Sequence, residues 1–312
     1  MKKNLISKNG YSYKANLGSY TTKSSGKLTA EELKSEYKKR GYSVIAFSDY
    51  DIVENNTSIA DKDFLPITSY KTSIDNYHFT LYSKTPDNTK VEIPQGDFAD
   101  IQDKVNAFIE AANQKGYLVC IDHPAKSMQT YADFDKLKGY FGIAVTDYAS
   151  VVEGHIEDNN HIVDRILRSG NKVHIMAADS NRNEYPFDHP HSDSFGAFAM
   201  INAKSNDYND VVEAIEKGEF YVSTGPVLEE VSVEGIKVKV KCSPVKYIRL
   251  LNAGRDAVMM IAIAPEGEYI TEAEFEVTDK KYCGGYVRVD VRDGYGDFAD
   301  SQVYYLDEIL GE

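Results

Sequence analysis

Residues 162–182 read Ile162-Val163-Asp164-Arg165-Ile166-Leu167-Arg168-Ser169-Gly170-Asn171-Lys172-Val173-His174-Ile175-Met176-Ala177-Ala178-Asp179-Ser180-Asn181-Arg182. A helical stretch to Arg168 is closed by Gly170. An apolar strand follows and ends in polar residues. The same unit recurs. Thr29-Ala30-Glu31-Glu32 has capping-box spacing, in which the hydroxyl accepts from the amide three residues on and Glu32 reaches back. It opens a helix to Arg40, with Gly41 as its stop, before the strand Val44-Ile45-Ala46-Phe47. Asp100 to Lys115 carries Ile101, Val105, Phe108, Ile109 and Ala112 at helical period, then Gly116 and the strand Tyr117 to Ile121. Val211 to Lys217, Gly218 and Phe220-Tyr221-Val222 repeat it again. Helices alternating with unbroken apolar strands predict an α/β protein with a parallel sheet, closed or open.

Past Gly225-Pro226 the pattern changes. Ile236 to Cys242 alternates apolar and lysine residues, as a strand with one wet face does. Tyr247 to Leu251, Ala257 to Ile263, Ala273 to Val277, Tyr286 to Val291 and Val303 to Leu306 follow at short intervals. This spacing predicts an antiparallel β-sandwich. The expected division is therefore residues 1–226 and 227–312.

Composition narrows the function. The 312 residues are 42% hydrophobic and 27% charged, ordinary for a globular chain. Against 35 Lys and Arg stand 49 Asp and Glu, a net charge of −14 that disfavours nucleic acid and anionic membrane as partners. Cys120, Cys242 and Cys283 lie far apart, which excludes a disulfide framework and a cysteine zinc site. The opening Met1-Lys2-Lys3-Asn4 lacks the apolar run of a signal peptide, so a cytoplasmic protein is expected.

Polar residues collect where strands end: Ser48-Asp49-Tyr50-Asp51, Asp122-His123-Pro124, Asp147, and Asp179-Ser180-Asn181-Arg182. In α/β folds ligands bind at the carboxyl ends of parallel strands. Any one of these groups could simply cap the next helix or turn; the set points to a site.

Those residues carry a resemblance. Lys14 to Gly26, Ile45 to Asp51, Asp122-His123-Pro124, Ala177 to Asn183 and Phe220 to Pro226 resemble the PHP (polymerase and histidinol phosphatase) family over essentially the first 226 residues. The trailing β-module resembles one that follows this domain in some bacterial members. The resemblance implies a distorted (β/α)7 barrel that hydrolyses phosphoesters with two or three metal ions. Most of the ligand positions it implies are substituted. Gly18, Tyr20 and Ser25 stand where the family has His, His and Asp. Tyr50 replaces a His beside Asp49, while Lys71 and Ala144 replace acids and Arg182 replaces a His. Only His123 and Asp179 match as ligands.

Metal hydrolysis needs about three protein ligands per ion and an open position for water. Glycine supplies none, and a fixed cation 4 Å from the ion repels it by several kcal/mol per unit charge at ε of about 20. No metal is therefore expected. The sign of the replacements predicts that Lys71 and Arg182 neutralise Asp49 and Asp179, with Tyr20 and Tyr50 hydrogen-bonded among them. The expected function is non-catalytic binding or scaffolding, with a small anionic ligand such as phosphate or a sugar phosphate near Arg182. The alternative is a residual phosphoesterase holding one Mn, Fe or Zn ion on His123, Asp179 and the His189-Pro190-His191 loop. That loop also reads as a plain surface turn. His78, His155, His161 and His174 read as structural, and no motif nominates a Ser or Cys nucleophile.

Overall fold

The computed structural model describes residues 2–7, 12–252, 260–277 and 285–310. Cys283 and residues 257–259 of the predicted strand 257–263 lie outside the described residues. The elements of the first part are β1 (Lys3–Ser7), β2 (Ser12–Ser19), α1 (Ala30–Lys38), β3 (Tyr42–Tyr50), β4 (Leu65–Ile74), β5 (Tyr77–Ser83), α2 (Ile101–Gln114) and β6 (Tyr117–Ile121). Next come β7 (Gly142–Asp147), α3 (Tyr148–Val152), α4 (Asn160–Arg168), β8 (His174–Ala178), β9 (Phe198–Asn202), α5 (Tyr208–Glu216) and β10 (Phe220–Ser223). The last part holds β11 (Leu228–Glu234), β12 (Lys237–Val245), β13 (Tyr247–Asn252), β14 (Ile261–Ile263), β15 (Ile270–Glu276), β16 (Tyr286–Arg292), β17 (Phe298–Ser301), β18 (Tyr304–Tyr305) and α6 (Leu306–Ile309).

Local sequence accounts for the helices. Thr29 Oγ1 accepts from the Glu32 amide at 3.2 Å and Glu32 Oε2 accepts from the Thr29 amide at 2.8 Å, so both halves of the predicted capping box form. Gly41 takes φ 78, the left-handed value that ends α1. Asp100 caps α2, whose Val105, Phe108, Ile109 and Ala112 face the core.

The fold is mixed α/β. A large sheet runs β14-β13-β16-β17-β10-β9-β2-β3-β4-β5-β6-β7-β8, and a second has the order β1-β11-β12-β15. The predicted all-parallel sheet is corrected to a mixed one. Strands β2, β3 and β4 are parallel, as are β6, β7 and β8, but β5 is antiparallel to both of its neighbours. The cause is the two-residue turn Asp75-Asn76 between paired Ile74 and Tyr77, with Asp75 at φ 53. Such a turn makes a hairpin, which sets β5 antiparallel to β4. Likewise β10 is antiparallel to β9. Past β8 the chain returns to β2 through a parallel bridge between Ser19 and Asn181, with Ser180 N donating to Gly18 O at 2.8 Å.

The change of pattern near residue 226 is crossed by this sheet, because β10 pairs with β17. In the second part, Val238, Val240 and Cys242 of β12 turn inward while Lys237, Lys239 and Lys241 face water, as the alternation predicts. Val231, Val233, Val238 and Val240 share one apolar cluster with Ile248, Leu250, Val287, Val289 and Val291, so the small sheet covers this end of the large one. Among the described residues no helix is long and apolar enough to cross a membrane.

Candidate functional site

Where β4, β6, β7 and β8 end, Lys71, Asp122, Asp147 and Ser180 meet in the interior. Lys71 is 5% exposed, yet its Nζ lies 2.5 Å from Asp122 Oδ2 and donates to Ser180 Oγ at 3.0 Å. Asp122 Oδ2 also accepts from Thr80 Oγ1 at 2.7 Å. The Asp147 carboxylate accepts from the amide and hydroxyl of Ser150 at 3.0 and 2.7 Å. Burial opposes the charge on Lys71, but Asp122, Tyr20 and Asp147 together hold its pKa above the ordinary value. Burial likewise pushes Asp147 up, and Lys71, His123 and the Ser180 and Ser150 hydroxyls more than reverse that. The group is a paired, charged and buried cluster.

Gly18 explains how a lysine fits here. A Cβ at position 18 would stand 3.0 Å from Ala178 Cβ and 3.8 Å from Lys71 Cε. The aliphatic stem of Lys71 runs past the place a larger side chain would claim. Tyr20, 8% exposed, closes the top, with its ring centroid 5.9 Å from Lys71 Nζ and 5.5 Å from Arg182 Cζ. Burial raises its pKa, so it stays a neutral phenol.

The predicted pairings are corrected here. Lys71 reaches Asp122 rather than Asp49 or Asp179, and Arg182 Nη1 donates to Glu153 Oε1 at 2.8 Å. Both aspartates found local donors instead. Asp49 accepts from the Thr21 amide and hydroxyl at 2.9 and 2.7 Å and from Ser24 Oγ at 2.5 Å. Asp179 accepts from Tyr37 OH at 2.6 Å and from the amides of Phe195, Gly196 and Ala197 at 2.8 to 3.0 Å. Burial pushes the Asp179 carboxyl up to about 7 against those four donors.

Three other candidates leave the cluster. Tyr50 is 40% exposed and its hydroxyl bonds Ser73 Oγ at 2.6 Å, away from Lys71. Ser25 is exposed, and it is Ser24 that reaches Asp49. Ala144 is buried in the main apolar cluster, and its carbonyl accepts from Asn159 Nδ2 at 3.2 Å.

His123 borders the cluster at φ 29, with Nδ1 3.2 Å from Ser127 Oγ and its ring 4.9 Å from that of His78. Burial lowers the pKa of both imidazoles. His189 stacks on Tyr185 at 4.5 Å and its Nδ1 accepts from the His191 amide at 3.0 Å.

The metal cluster implied by the resemblance does not fit these donors. Gly18 and Ala144 offer no ligand, and at position 71, where the resemblance implies an acid, an ammonium lies 2.5 Å from Asp122. Among the described residues no three His, Cys, Asp or Glu side chains converge on one point.

Sequence reasoning missed Asp122 as the partner of Lys71, Tyr37 as the donor to Asp179, and Glu153 as the partner of Arg182. It also missed Asn16, whose Oδ1 accepts from the Gly18 and Asp179 amides at 3.1 Å each and whose Nδ2 donates to Asn181 Oδ1 at 2.9 Å. An asparagine in the middle of an apolar strand was the available signal.

No family model matches the chain, and no curated protein matches it. Among solved structures it is similar to a two-domain protein of Bacteroides vulgatus that contains a predicted PHP-like metal-dependent phosphoesterase. The identity is 12% over 96% of this chain and 88% of that one, with a TM-score of 0.46.

Proposed function

We propose that the chain is a PHP-type protein that binds without hydrolysing. In this reading residues 1–226 form a distorted (β/α)7 barrel and residues 227–312 a small antiparallel β-sandwich. The observation that carries it is the Lys71 ammonium held between Asp122 and Ser180, both buried, at 2.5 and 3.0 Å. A protonated lysine in that position supplies the positive charge the carboxylates need and repels any added metal cation. Ser180 Oγ accepts from the Lys71 ammonium, which Asp122 and Asp147 keep protonated against the opposing effect of burial.

Elemental analysis after incubation with Mn, Fe and Zn tests the reading. Below about a tenth of an equivalent of metal per chain is expected, with no metal-dependent release of phosphate from chromogenic phosphoesters. Stoichiometric metal with hydrolysis would overturn it.

A further inference from the structure

The strand-end face offers a ligand two places, and the inner one is filled. Tyr20, Lys71, Asp122 and Asp179 are each no more than 8% exposed. Outside them, where β7 and β8 end, a cavity of about 350 Å³ opens between α3 and the segment 182–193. Val152, Arg182, Glu184, Tyr185 and His191 line it together with Glu153 and Asp193. Its size falls within the range of small-molecule sites.

The loop that shapes the cavity is held rigidly. Ser180, Asn183 and Phe195 adopt φ of 50, 59 and 69, left-handed values that a non-glycine residue keeps only when its surroundings hold it there. Buried polar bonds fix them. Asp193 accepts from the Arg182 and Asn183 amides at 2.6 and 3.1 Å, Asn183 Nδ2 donates to Ser194 Oγ at 2.7 Å, and Asn181 Nδ2 donates to Asn183 Oδ1 at 2.6 Å. A cavity held this way is formed before a ligand arrives, which lowers the cost of binding.

Charge selects the ligand class. Asp193 is committed to backbone amides, and Glu153 to Arg182 and Lys126. Glu184 has no ion-pair or hydrogen-bond partner among the described residues, and Arg182 spends one of its N–H groups on Glu153. An anion would face three carboxylates, and a cation would face the guanidinium. A neutral ring bearing hydroxyls suits both: Arg182 donates to it, Glu184 accepts from it, and its C–H face lies on the side of the 47% exposed Tyr185 ring opposite the stacked His189. We propose that this cavity binds a neutral sugar; the proposal rests on the binding-only reading above and names the ligand class.

Saturation-transfer NMR on the full chain tests it, with methyl hexosides and pentosides as probes and glucose 6-phosphate and inorganic phosphate as charged comparators. At least one neutral probe should show saturable transfer confined to one ring face. Tyr185→Ala should weaken that binding by about tenfold, and Glu184→Gln should weaken it while leaving the fold intact, since both side chains are exposed. No transfer from any neutral probe at about 10 mM, near the weak limit of useful affinity, would overturn the proposal. So would binding of the charged comparators alone, or binding indifferent to Tyr185→Ala. Hydrolysis of glucose 6-phosphate in the same samples would instead sink the binding-only reading and leave the cavity assignment standing.

Discussion

The guanidinium of Arg288 on β16, wholly buried, donates from Nε and Nη2 to the two carboxylate oxygens of Asp164 on α4, each at 2.9 Å. Its Nη1 donates to Asp300 Oδ1 at 3.0 Å, and Asp300 Oδ2 accepts from Asn160 Nδ2 at 3.1 Å. One side chain from the second part of the chain therefore ties a helix of the first part to β17. Arg288→Met strands the fully buried Asp300, and removing one partner of such a pair costs about 3–5 kcal/mol. The expected result is an unfolding free energy, from urea titration, lowered by that amount; an unchanged value would show that the network contributes nothing net.

The same contacts predict how the chain comes apart. Gln302 accepts from Ile175 N at 2.9 Å and donates to Ile175 O at 2.8 Å, and β17 supplies a hydrogen-bonded neighbour to β10. A fragment ending at residue 226 loses both and bares the edge of β10. Residues 1–226 alone should be aggregation-prone and quickly proteolysed, and the whole chain should unfold in one transition. Two separate calorimetric peaks would contradict this.

Stability should carry the mark of Glu157. Burial pushes its carboxyl from 4.5 up to about 7, against the Asn159 side chain and the Lys126 amide, which pull it down. Between those values the folded chain keeps a proton that the unfolded chain has released. Stability from this group is thus complete below pH 4.5 and is lost as pH rises through about 7. Glu157→Gln should flatten that part of the stability–pH curve, as measured by urea titration at successive pH values; an unaltered slope would refute the assignment.

Much of this was legible in advance for a simple reason. Caps, helix stops and the Lys237–Lys241 alternation are encoded within a few residues, and each formed where its spacing placed it. Of the polar strand ends, Asp122, Asp147 and Ser180 gather around Lys71. What could not be read was which carboxylate each cation would reach. That choice depends on strand stagger, and β2 and β7 both carry register shifts, at Asn16/Ser19 and Ala144/Thr146. It depends too on competition from neighbours: Thr21 and Ser24 had already satisfied Asp49, and Tyr37 with three amides had satisfied Asp179. Arg182 was diverted to Glu153 by α3, a five-residue helix too short to leave a periodic signal.

Gly18 and Lys71 should prove interdependent. A methyl group at position 18 meets Ala178 Cβ at 3.0 Å, tighter than packed carbons tolerate, with Lys71 Cε at 3.8 Å behind it. Gly18→Ala should destabilise by about 1–3 kcal/mol, the usual range for overpacking a core. Ala178→Gly in the same chain should recover most of the loss. Failure of that recovery would mean that Ser180 Oγ at 3.5 Å or the Lys71 stem, not Ala178, sets the cost.

The sharpest discrimination lies in a double-mutant cycle at the centre of the site. Lys71→Met keeps the length of the stem but removes the cation, leaving Asp122 and Asp147 facing each other in the interior. Stranding buried charge in this way costs about 3–5 kcal/mol. If the ion pair is the source of that loss, Asp122→Asn should be nearly harmless in the Lys71→Met background and damaging in the wild type, because each change removes the same interaction. The signature is a coupling energy well above the sub-kcal value of an exposed pair, read from four urea curves. A cycle that closes without coupling would mean that Lys71 answers chiefly to Asp147 through Ser180. The Asp122 contact would then be incidental, and Asp147 would be the partner that fixes the charge on Lys71.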